Sequence, residues 1–244
     1  MSGLYGILWQ EFIVFKRKFW ATTIGFLVSP ILYLVAFGWG LGSGMEIDGV
    51  SYMAYIIPGI IAMNTMMTSF NNTANSINIS RIFYKTFEYY VISPINMTIY
   101  ALGKIIAGAF YGIYSGILIT VIVSIFTSDL VITPYFIFIA LLNCFVFSAL
   151  GFLIGLLINS HADMSKFMSF VITPMSFLCG TFFPIDKMPE VLRWFIYLLP
   201  LTHTNIALRT TGETPENMML HAAVLMLYLI VIFIVSIRLC KNVE

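Results

Sequence analysis

The sequence predicts an all-α integral membrane protein with six membrane-spanning helices. Of its 244 residues, 60% are hydrophobic and 9% are charged, and the mean hydropathy is +0.96. Soluble domains carry about 25% charged residues, so 12 basic and 11 acidic side chains are too few to cover a water-exposed surface of this size. Six stretches also reach, or nearly reach, the roughly 20 apolar residues that a helix needs to cross a bilayer.

The six predicted spans alternate with more polar connections. They cover residues 19–41, 52–70, 105–126, 134–158, 167–183 and 218–237. Ahead of them, residues 1–18 contain an amphipathic stretch that ends in basic residues, which is typical of a helix lying in the membrane interface. We expect no cleavable signal peptide, since no small-residue cleavage site follows the basic cluster.

Residues 184–212 are predicted to form an outer segment that does not span the membrane. Their apolar part, Val191–Leu201, is short and is bounded by Pro189 and Pro200, neither of which has a backbone N–H to donate. Such a length suits a re-entrant or interfacial element rather than a seventh span. Trp194 favours the membrane interface.

The basic residues predict that both termini are cytoplasmic. On the inner side this arrangement places Lys16, Arg17, Lys18, Arg81, Lys85, Lys104, Lys166, Arg238 and Lys241, and on the outer side Lys187, Arg193 and Arg209. This asymmetry follows the positive-inside rule. Glycosylation in a eukaryotic host at the acceptor patterns of Asn78 or Asn96 would contradict the arrangement, because both lie on the inner side.

Glycines recur every four residues in two of the predicted spans. Gly108, Gly112 and Gly116 do so in the third span, and Gly151 and Gly155 in the fourth. Such spacing lets helix backbones approach closely in lipid. We favour helix packing here over the ordinary glycine content of membrane helices.

The most polar cytoplasmic segment is residues 76–104. It contains a predicted short helix, Ile82–Val91, which stops before Pro94. The helix carries aromatic side chains and mixed charge. Two interpretations fit this composition equally: the helix lies among lipid headgroups, or it docks on a cytoplasmic partner with its aromatic residues as anchors and Glu88 as a charged contact.

This segment resembles the first cytoplasmic loop of ABC type-2 permeases. The shared pattern is Arg-x4-Thr-x-Glu, then Ser-Pro, then Leu-Gly-Lys, and its residues are Arg81, Thr86, Glu88, Ser93, Pro94, Leu102, Gly103 and Lys104. In that family the segment is the coupling helix, which rests on a separate nucleotide-binding subunit. The resemblance implies that the following residues contact this ATPase, with Glu88 the foremost charged contact: Arg81, Phe83, Tyr84, Lys85, Thr86, Phe87, Glu88 and Tyr89.

The outer segment resembles the same family. There the fifth helix ends in Gly-x-x-Phe-Pro, followed by a further Pro, a short outer helix, and Pro-Leu-Thr with an Arg downstream. The matching residues here are Gly180, Phe183, Pro184, Pro189, Pro200, Leu201, Thr202 and Arg209. The two motifs occur in the family's order, and with the six-span plan they cover essentially the whole chain.

The resemblance implies the permease subunit of an ATP-driven exporter of a prokaryotic cell membrane. The family pairs two permease copies, here expected as a homodimer, with two ATPase subunits. The chain has no Gly-x4-Gly-Lys-Ser/Thr loop, so ATP and Mg²⁺ are expected on the partner, and no cofactor, metal or nucleic acid is expected here. An amphipathic or hydrophobic cargo is expected, such as a drug, an antibiotic, a lipid or a lipid-linked glycan.

Two other classes of function fit the sequence less well. A secondary transporter or channel without an ATPase would favour ionisable residues in mid-span, whereas Lys104 and Lys166 lie at span ends. An intramembrane enzyme would need a matched set of catalytic groups, and the three histidines, His161, His203 and His221, have no evident partners in the sequence. The sequence therefore predicts no catalytic residues.

The family's second and fifth helices line its cavity. This implies a candidate cargo pathway made of Asn64, Thr68, Asn71, Phe170, Thr173 and Phe177. Polar groups within spans often mark a pathway. Asn and Thr also commonly hydrogen-bond neighbouring helices, so the sequence leaves both roles open.

Overall fold

A computed structural model describes residues 2–42, 44–47, 49–91, 96–126, 130–209 and 215–241. Its regular structure is helical apart from one antiparallel hairpin of two-residue strands, β1 (Glu46–Ile47) and β2 (Val50–Ser51). The α-helices are α1 (Ser2–Arg17), α2 (Phe19–Tyr33), α3 (Tyr52–Ile82), α4 (Thr86–Val91), α5 (Met97–Phe126), α6 (Pro134–Leu157), α7 (His161–Phe167), α8 (Thr173–Leu178), α9 (Glu190–Tyr197), α10 (Pro200–Arg209) and α11 (Pro215–Lys241).

Five helices of the described chain are long and apolar enough to cross a membrane. They are Phe19–Gly40, Tyr52–Ile82, Met97–Ile125, Pro134–Leu157 and Asn217–Cys240. The first joins α2 to its π-helical continuation, Leu34–Leu41. The predicted all-α membrane class is confirmed, and five of the six predicted spans have a counterpart.

The predicted span at residues 167–183 is not a single long helix. The structure divides this region into α7, a π-helical segment (Met168–Ile172) and α8, which ends at Leu178. Pro174 lies in the first turn of α8 and has no N–H to donate to the preceding turn. The wider π-helical turn and the proline together explain why a continuous apolar stretch does not form one continuous α-helix.

The predicted cytoplasmic loop is shorter than expected because α3 and α5 extend into it. The second span was predicted to end at residue 70 and the third to begin at 105, whereas α3 continues to Ile82 and α5 begins at Met97. Some polar side chains in these extensions form hydrogen bonds inside the bundle. The Asn78 amide, for example, donates to the Ile158 carbonyl at 3.0 Å.

Helix α3 is the centre of the bundle. Of the 18 residues in its most apolar stretch, 78% are buried. The corresponding share is 11% in the first span and 11% in α11. The predicted glycine packing is confirmed on two of its faces. A Cβ on Gly108 would collide with Thr73, and one on Gly151 would lie 2.5 Å from the Phe70 carbonyl oxygen, so only glycine allows these approaches.

Helix α1 lies against the bundle rather than apart from it. Ile7 and Phe15 are buried, and the Phe15 ring packs edge-on against Tyr111 and Tyr114 of α5, with centroids 5.5 and 5.0 Å apart. The opposite face exposes aromatic residues such as Trp9. One face of α1, the predicted interfacial helix, therefore packs against the bundle.

The two ends of the bundle carry different elements. We call the end that carries α1, α4 and the last turn of α6 the α4 end, and the end that carries β1, β2 and the first turn of α11 the hairpin end. From the hairpin end, α9 and α10 reach inward. The Tyr228 hydroxyl donates to the Leu198 carbonyl in the turn between them, and Tyr228 lies about 20 Å along α11 from its start at 1.5 Å per residue.

Candidate functional site: the α4 surface and the motif at the hairpin end

Helix α4 has one face anchored in the bundle and one face exposed. Phe87 is 4% exposed and packs against the Tyr100 ring of α5, with centroids 5.7 Å apart. Phe83, Tyr84 and Tyr89 are each more than two-thirds exposed, at 71%, 72% and 68%. Phe87 therefore holds α4 in place, and the exposed rings on α4 and directly before it form an apolar surface that no described residue covers.

Charged and strained residues complete this exposed surface. Glu88 is exposed and forms no ion pair with any described residue. Lys85 adopts a φ of 50°, in the left-handed region, and Thr86, also exposed, donates to the Ser80 carbonyl at 3.4 Å. The left-handed residue ends the helical path from α3 and starts α4 in a new direction, which explains why the predicted helix Ile82–Val91 is split.

Arg81 caps a neighbouring helix. Its guanidinium donates to the carbonyls of Gly155 (3.0 Å) and Leu156 and to the side-chain oxygen of Asn159 (3.0 Å), at the end of α6. The last carbonyls of a helix have no partners within it and carry partial negative charge, so a cation stabilises them. This motif arginine therefore ties α3 to α6 directly before the turn into α4.

Helix α1 supports α4 through polar contacts. The Tyr90 hydroxyl donates to the Gln10 side-chain oxygen at 2.9 Å. Burial, and to a lesser degree the negative charge of Glu11, raises the pKa of Tyr90, so its hydroxyl remains a donor. The base of α4 is thus fixed to α1 by a hydrogen bond and to α5 by ring packing.

The motif lysine is part of a buried ion pair. Lys104 Nζ lies 2.5 Å from Glu11 Oε1 and 3.1 Å from Ser76 Oγ, and the Lys104 side chain is 6% exposed. The pair joins α1, α3 and α5 beneath α4. Sequence reasoning missed Gln10 and Glu11, because their partners lie about eighty and ninety residues away. The motif residues Ser93 and Pro94 lie outside the described residues.

At the hairpin end, the second motif builds a turn around Gly180. This glycine has a φ of +79°, and a Cβ there would lie 3.0 Å from Ile185. The Asn205 amide of α10 donates to the Cys179 carbonyl at 2.7 Å and to the Thr181 hydroxyl at 3.2 Å. The turn is therefore held to α10 on both sides of the glycine.

Arg209 is bound among carbonyl groups and an aromatic ring. Its Nε donates to the Tyr55 carbonyl and one terminal nitrogen to the Thr181 carbonyl, both at 3.0 Å, and its guanidinium lies 4.0 Å from the centre of the Tyr55 ring. A Cβ on Gly59 would lie 2.6 Å from the same guanidinium. Burial lowers the pKa of Arg209 to about 10, partly offset by Tyr55, so it stays cationic at neutral pH.

The remaining motif residues shape the backbone of this end. Thr202 is buried and donates to the Ile196 carbonyl at 2.6 Å, which closes the turn between α9 and α10. Pro184 precedes a short 3₁₀ turn, Pro189 precedes α9, and Pro200 begins α10. Phe183 is 54% exposed.

A buried asparagine that sequence reasoning missed joins three helices halfway through the bundle. Asn143 of α6 donates to the Ala62 carbonyl at 3.1 Å and to the Thr65 hydroxyl at 3.0 Å, both on α3. Its oxygen accepts from Thr204 of α10 at 2.9 Å. The only signal in the sequence is a polar amide within an apolar span, which does not reveal its partners.

The six candidate pathway residues fall into different environments. Asn64 and Thr68 are buried and both donate to the Ser115 hydroxyl of α5, Thr68 at 3.3 Å, so their side chains join helices. Phe177 packs with the Phe182 ring at 5.4 Å. Asn71 and Phe177 are partly exposed, and Phe170 and Thr173 are exposed.

Comparison with known proteins identifies the family of this chain. Residues 3–211 match the model of the ABC-2 type transporter family. The chain belongs to the ABC-2 type transporter family. This confirms the resemblance seen in the two motifs, and it makes the chain an ABC transporter membrane subunit. Membership also implies, in general terms, an ABC ATPase as partner. The family consists of transport permeases, which are not themselves enzymes.

Similar proteins align over most of their length. The chain is 28% identical over 238 residues to Nodulation protein J of Rhizobium leguminosarum bv. viciae, covering 96% of this chain and 92% of that protein. It is 29% identical over 213 residues to the Inner membrane transport permease YadH of Escherichia coli K12, covering 83% of this chain and 82% of that protein. These likenesses agree with a multi-pass membrane transport protein.

Proposed function

We propose that this chain is the permease subunit of an ATP-driven exporter and that α4 receives the motion of a separate ATPase. The observation that carries the proposal is the exposed aromatic face of α4 around Glu88, held from behind by Phe87 and Tyr90. Exposed aromatic residues on a rigid support, next to a charge, are what a protein docking site requires. ATP and its Mg²⁺ are bound by the partner and not by this chain.

The residues proposed to contact the ATPase have two different roles at the α4 surface. Phe83, Tyr84, Lys85, Thr86, Glu88 and Tyr89 are exposed and would touch the partner. Arg81 and Phe87 instead fix the surface to α6 and α5. Because these contacts connect α4 with α3, α5 and α6, a movement of α4 would be transmitted to three spans.

The proposed topology has six crossings, with both termini and α4 in the cytoplasm. The run His161–Leu178 reaches about 27 Å at 1.5 Å per residue, close to the hydrocarbon thickness of about 30 Å, so it serves as the sixth crossing despite its π-helical turn. The hairpin end is then outside, and α9 and α10 form a re-entrant outer segment. The inner-membrane name of the YadH relative supports a prokaryotic inner membrane.

The proposed exporter contains two copies of this chain, as a homodimer, and two ATPase subunits. The cargo would pass between the copies along Asn71, Phe170 and Thr173, which have exposed surface. Asn64 and Thr68 join helices instead, and the Phe177 ring, although partly exposed, packs in an aromatic cluster. An exposed phenylalanine beside polar groups suits an amphipathic or hydrophobic cargo, including drugs and lipid-linked glycans.

The test is ATP hydrolysis by the reconstituted permease with its ATPase. Glu88→Arg and Tyr89→Ala alter only exposed groups of α4, so the permease should fold normally. Transport-coupled hydrolysis should fall about tenfold or more, as expected for loss of an interface anchor worth about 1.4 kcal/mol or more. Glu190→Arg, an exposed acid at the hairpin end, is the matched control and should keep full coupling. Wild-type coupling in both α4 variants would refute the docking role.

A further inference from the structure

A cavity of about 670 Å³ lies at the hairpin end, where the first span, α3 and the outer segment meet. It is lined by Phe37 of the first span, residues 45–47 at the hairpin, Tyr52 of α3, and residues 183–184 and 187–189 of the outer segment. None of the six candidate pathway residues belongs to this lining. The cavity is therefore distinct from the proposed cargo pathway and from the α4 surface.

The aromatic side chains of the lining form a wall that is largely fixed by the fold. Tyr52 is 6% exposed, and its hydroxyl donates to the Phe182 carbonyl at 3.2 Å. The Phe37 ring packs on the Phe182 ring, with centroids 4.5 Å apart. The motif residue Phe183 is instead about half exposed on the same cavity. The chain thus presents a preformed apolar wall, with one aromatic ring still open to a ligand.

Two opposite charges line the same cavity without neutralising each other. Glu46 and Lys187 are both exposed, and neither forms an ion pair or a side-chain hydrogen bond with another described residue. The neighbouring Arg193 is already engaged, since its guanidinium donates to the carbonyls of Asp186 and Met188. One carboxylate and one ammonium group beside an aromatic wall therefore remain available to a ligand.

The position of the cavity along the spans corresponds to the level of the lipid headgroups. Phe37 lies in the last turn of the first span, which ends at Gly40, and Tyr52 is the first residue of the second. Glu46 and Lys187 lie in the connections outside the spans. Apolar groups at the edge of the hydrocarbon region, with charges just beyond it, match the order of groups in a phospholipid.

We propose that this cavity binds the headgroup of an ethanolamine phospholipid, with its phosphate at Lys187 and its ammonium group at Glu46. The glycerol and the first acyl carbons then lie against Phe37, Tyr52 and Phe183. A lysine binds phosphate as a point charge, and a carboxylate accepts charge-assisted hydrogen bonds from an ammonium group. A choline head has no N–H to donate, and a glycerol head has no positive charge, so both lose the contact with Glu46.

The lipid site goes beyond the proposed export function and does not depend on it. It requires only that the chain lies in a membrane, which the long apolar helices and the family both support. The bound lipid connects the hairpin between the first two spans with the outer segment before α11. The α4 variants and the cavity variants lie at opposite ends of the bundle, so either test can fail without the other.

The first test is native mass spectrometry of the full chain in detergent, titrated with dioleoyl phosphatidylethanolamine, phosphatidylcholine and phosphatidylglycerol. The wild type should bind the ethanolamine lipid about three- to fivefold more tightly than the other two, as expected for one added charge pair at an exposed site. Glu46→Gln should remove this preference. Lys187→Gln should weaken all three lipids, because each carries a phosphate.

Glu190→Gln is the matched control, because Glu190 is an exposed acid at the same end that does not line the cavity. It should keep the wild-type preference. Equal binding of the three lipids by the wild type, or a preference that persists in Glu46→Gln, would overturn the proposal. Equimolar soluble phosphoethanolamine should leave the lipid bound, since it makes no contact with the aromatic wall; equal competition would overturn the assignment to a lipid.

The second test locates the bound lipid. An ethanolamine phospholipid with a diazirine next to the glycerol is incorporated into nanodiscs with the wild-type chain and irradiated. The cross-links should lie on Tyr52 and on residues 183–189, and Lys187→Gln should reduce them about three- to fivefold while Glu190→Gln leaves them unchanged. Cross-links confined to the lipid-exposed helices α2 and α11 would show that the cavity holds no lipid.

Discussion

The buried ion pair between Lys104 and Glu11 can be tested by a double-mutant cycle. Lys104 is 6% exposed and Glu11 15%, and Ser76 hydrogen-bonds to both. Removing one partner of a buried pair typically costs about 3–5 kcal/mol, because the other charge stays buried without compensation. Glu11 retains the Ser76 hydroxyl and some water, so we expect Lys104→Met to cost about 2–3 kcal/mol.

The cycle separates the ion pair from the packing of the two side chains. Glu11→Gln should cost about 2 kcal/mol, since Lys104 then has no anion beside it. The double variant Glu11→Gln/Lys104→Met buries no charge and should lie within about 1 kcal/mol of the wild type. The interaction term would then be about 3–5 kcal/mol, larger than exposed pairs show.

The assay is reversible unfolding in mixed micelles, monitored by circular dichroism. Lys166→Met is the matched control, because Lys166 also lies 2.8 Å from an acid, Asp163, but both side chains are more than half exposed, at 67% and 57%. The control should leave the free energy of unfolding unchanged within error. Additive costs of the two single variants at Lys104 and Glu11 would refute the claim that the pair acts as a unit.

Two further substitutions test the packing at the hairpin end and in the centre of the bundle. Gly59→Ala should cost about 1–3 kcal/mol of unfolding free energy, because its Cβ would lie 2.6 Å from the Thr181 carbonyl, whereas Gly25→Ala, with open space around it, should cost nothing. Asn143→Ala should cost about 2 kcal/mol through three lost interhelical contacts, and Asn72→Ala, which loses only a bond within its own helix, should cost less than about 1 kcal/mol. Equal costs within either pair would contradict these assignments.

Hydropathy predicted most of the spans because it depends on local composition. A run of apolar residues favours lipid whatever its neighbours are. The first span (α2 with its π-helical continuation to Leu41), α6 and α11 begin and end within a few residues of the predicted bounds. Hydropathy is a weaker guide where polar side chains find partners inside the bundle. Ser76, Asn78 and Lys104 are typical of a loop by residue type, yet they lie on α3 and α5 and bind groups elsewhere in the bundle.

The motifs identified the family, but they did not assign a physical role to each residue. Arg81 and Lys104 belong to the same pattern as Glu88. In the structure, Arg81 caps α6 and Lys104 pairs with Glu11, while Glu88 is exposed. A pattern of residue types cannot separate positions that support a surface from positions that form it, because the distinction depends on which helix lies behind each side chain.

From the residues alone, the chain is recognisable as a helical membrane protein, with most of its candidate spans and its family. The support of α4 by α1, the bonds of Asn143 to two other helices and the contact between His203 and His221 are visible only in the folded molecule. These features differ in the range of the interactions behind them. The free energy of transfer into lipid sums over neighbouring residues, whereas hydrogen bonds and ion pairs depend on contacts between helices that are far apart in the chain.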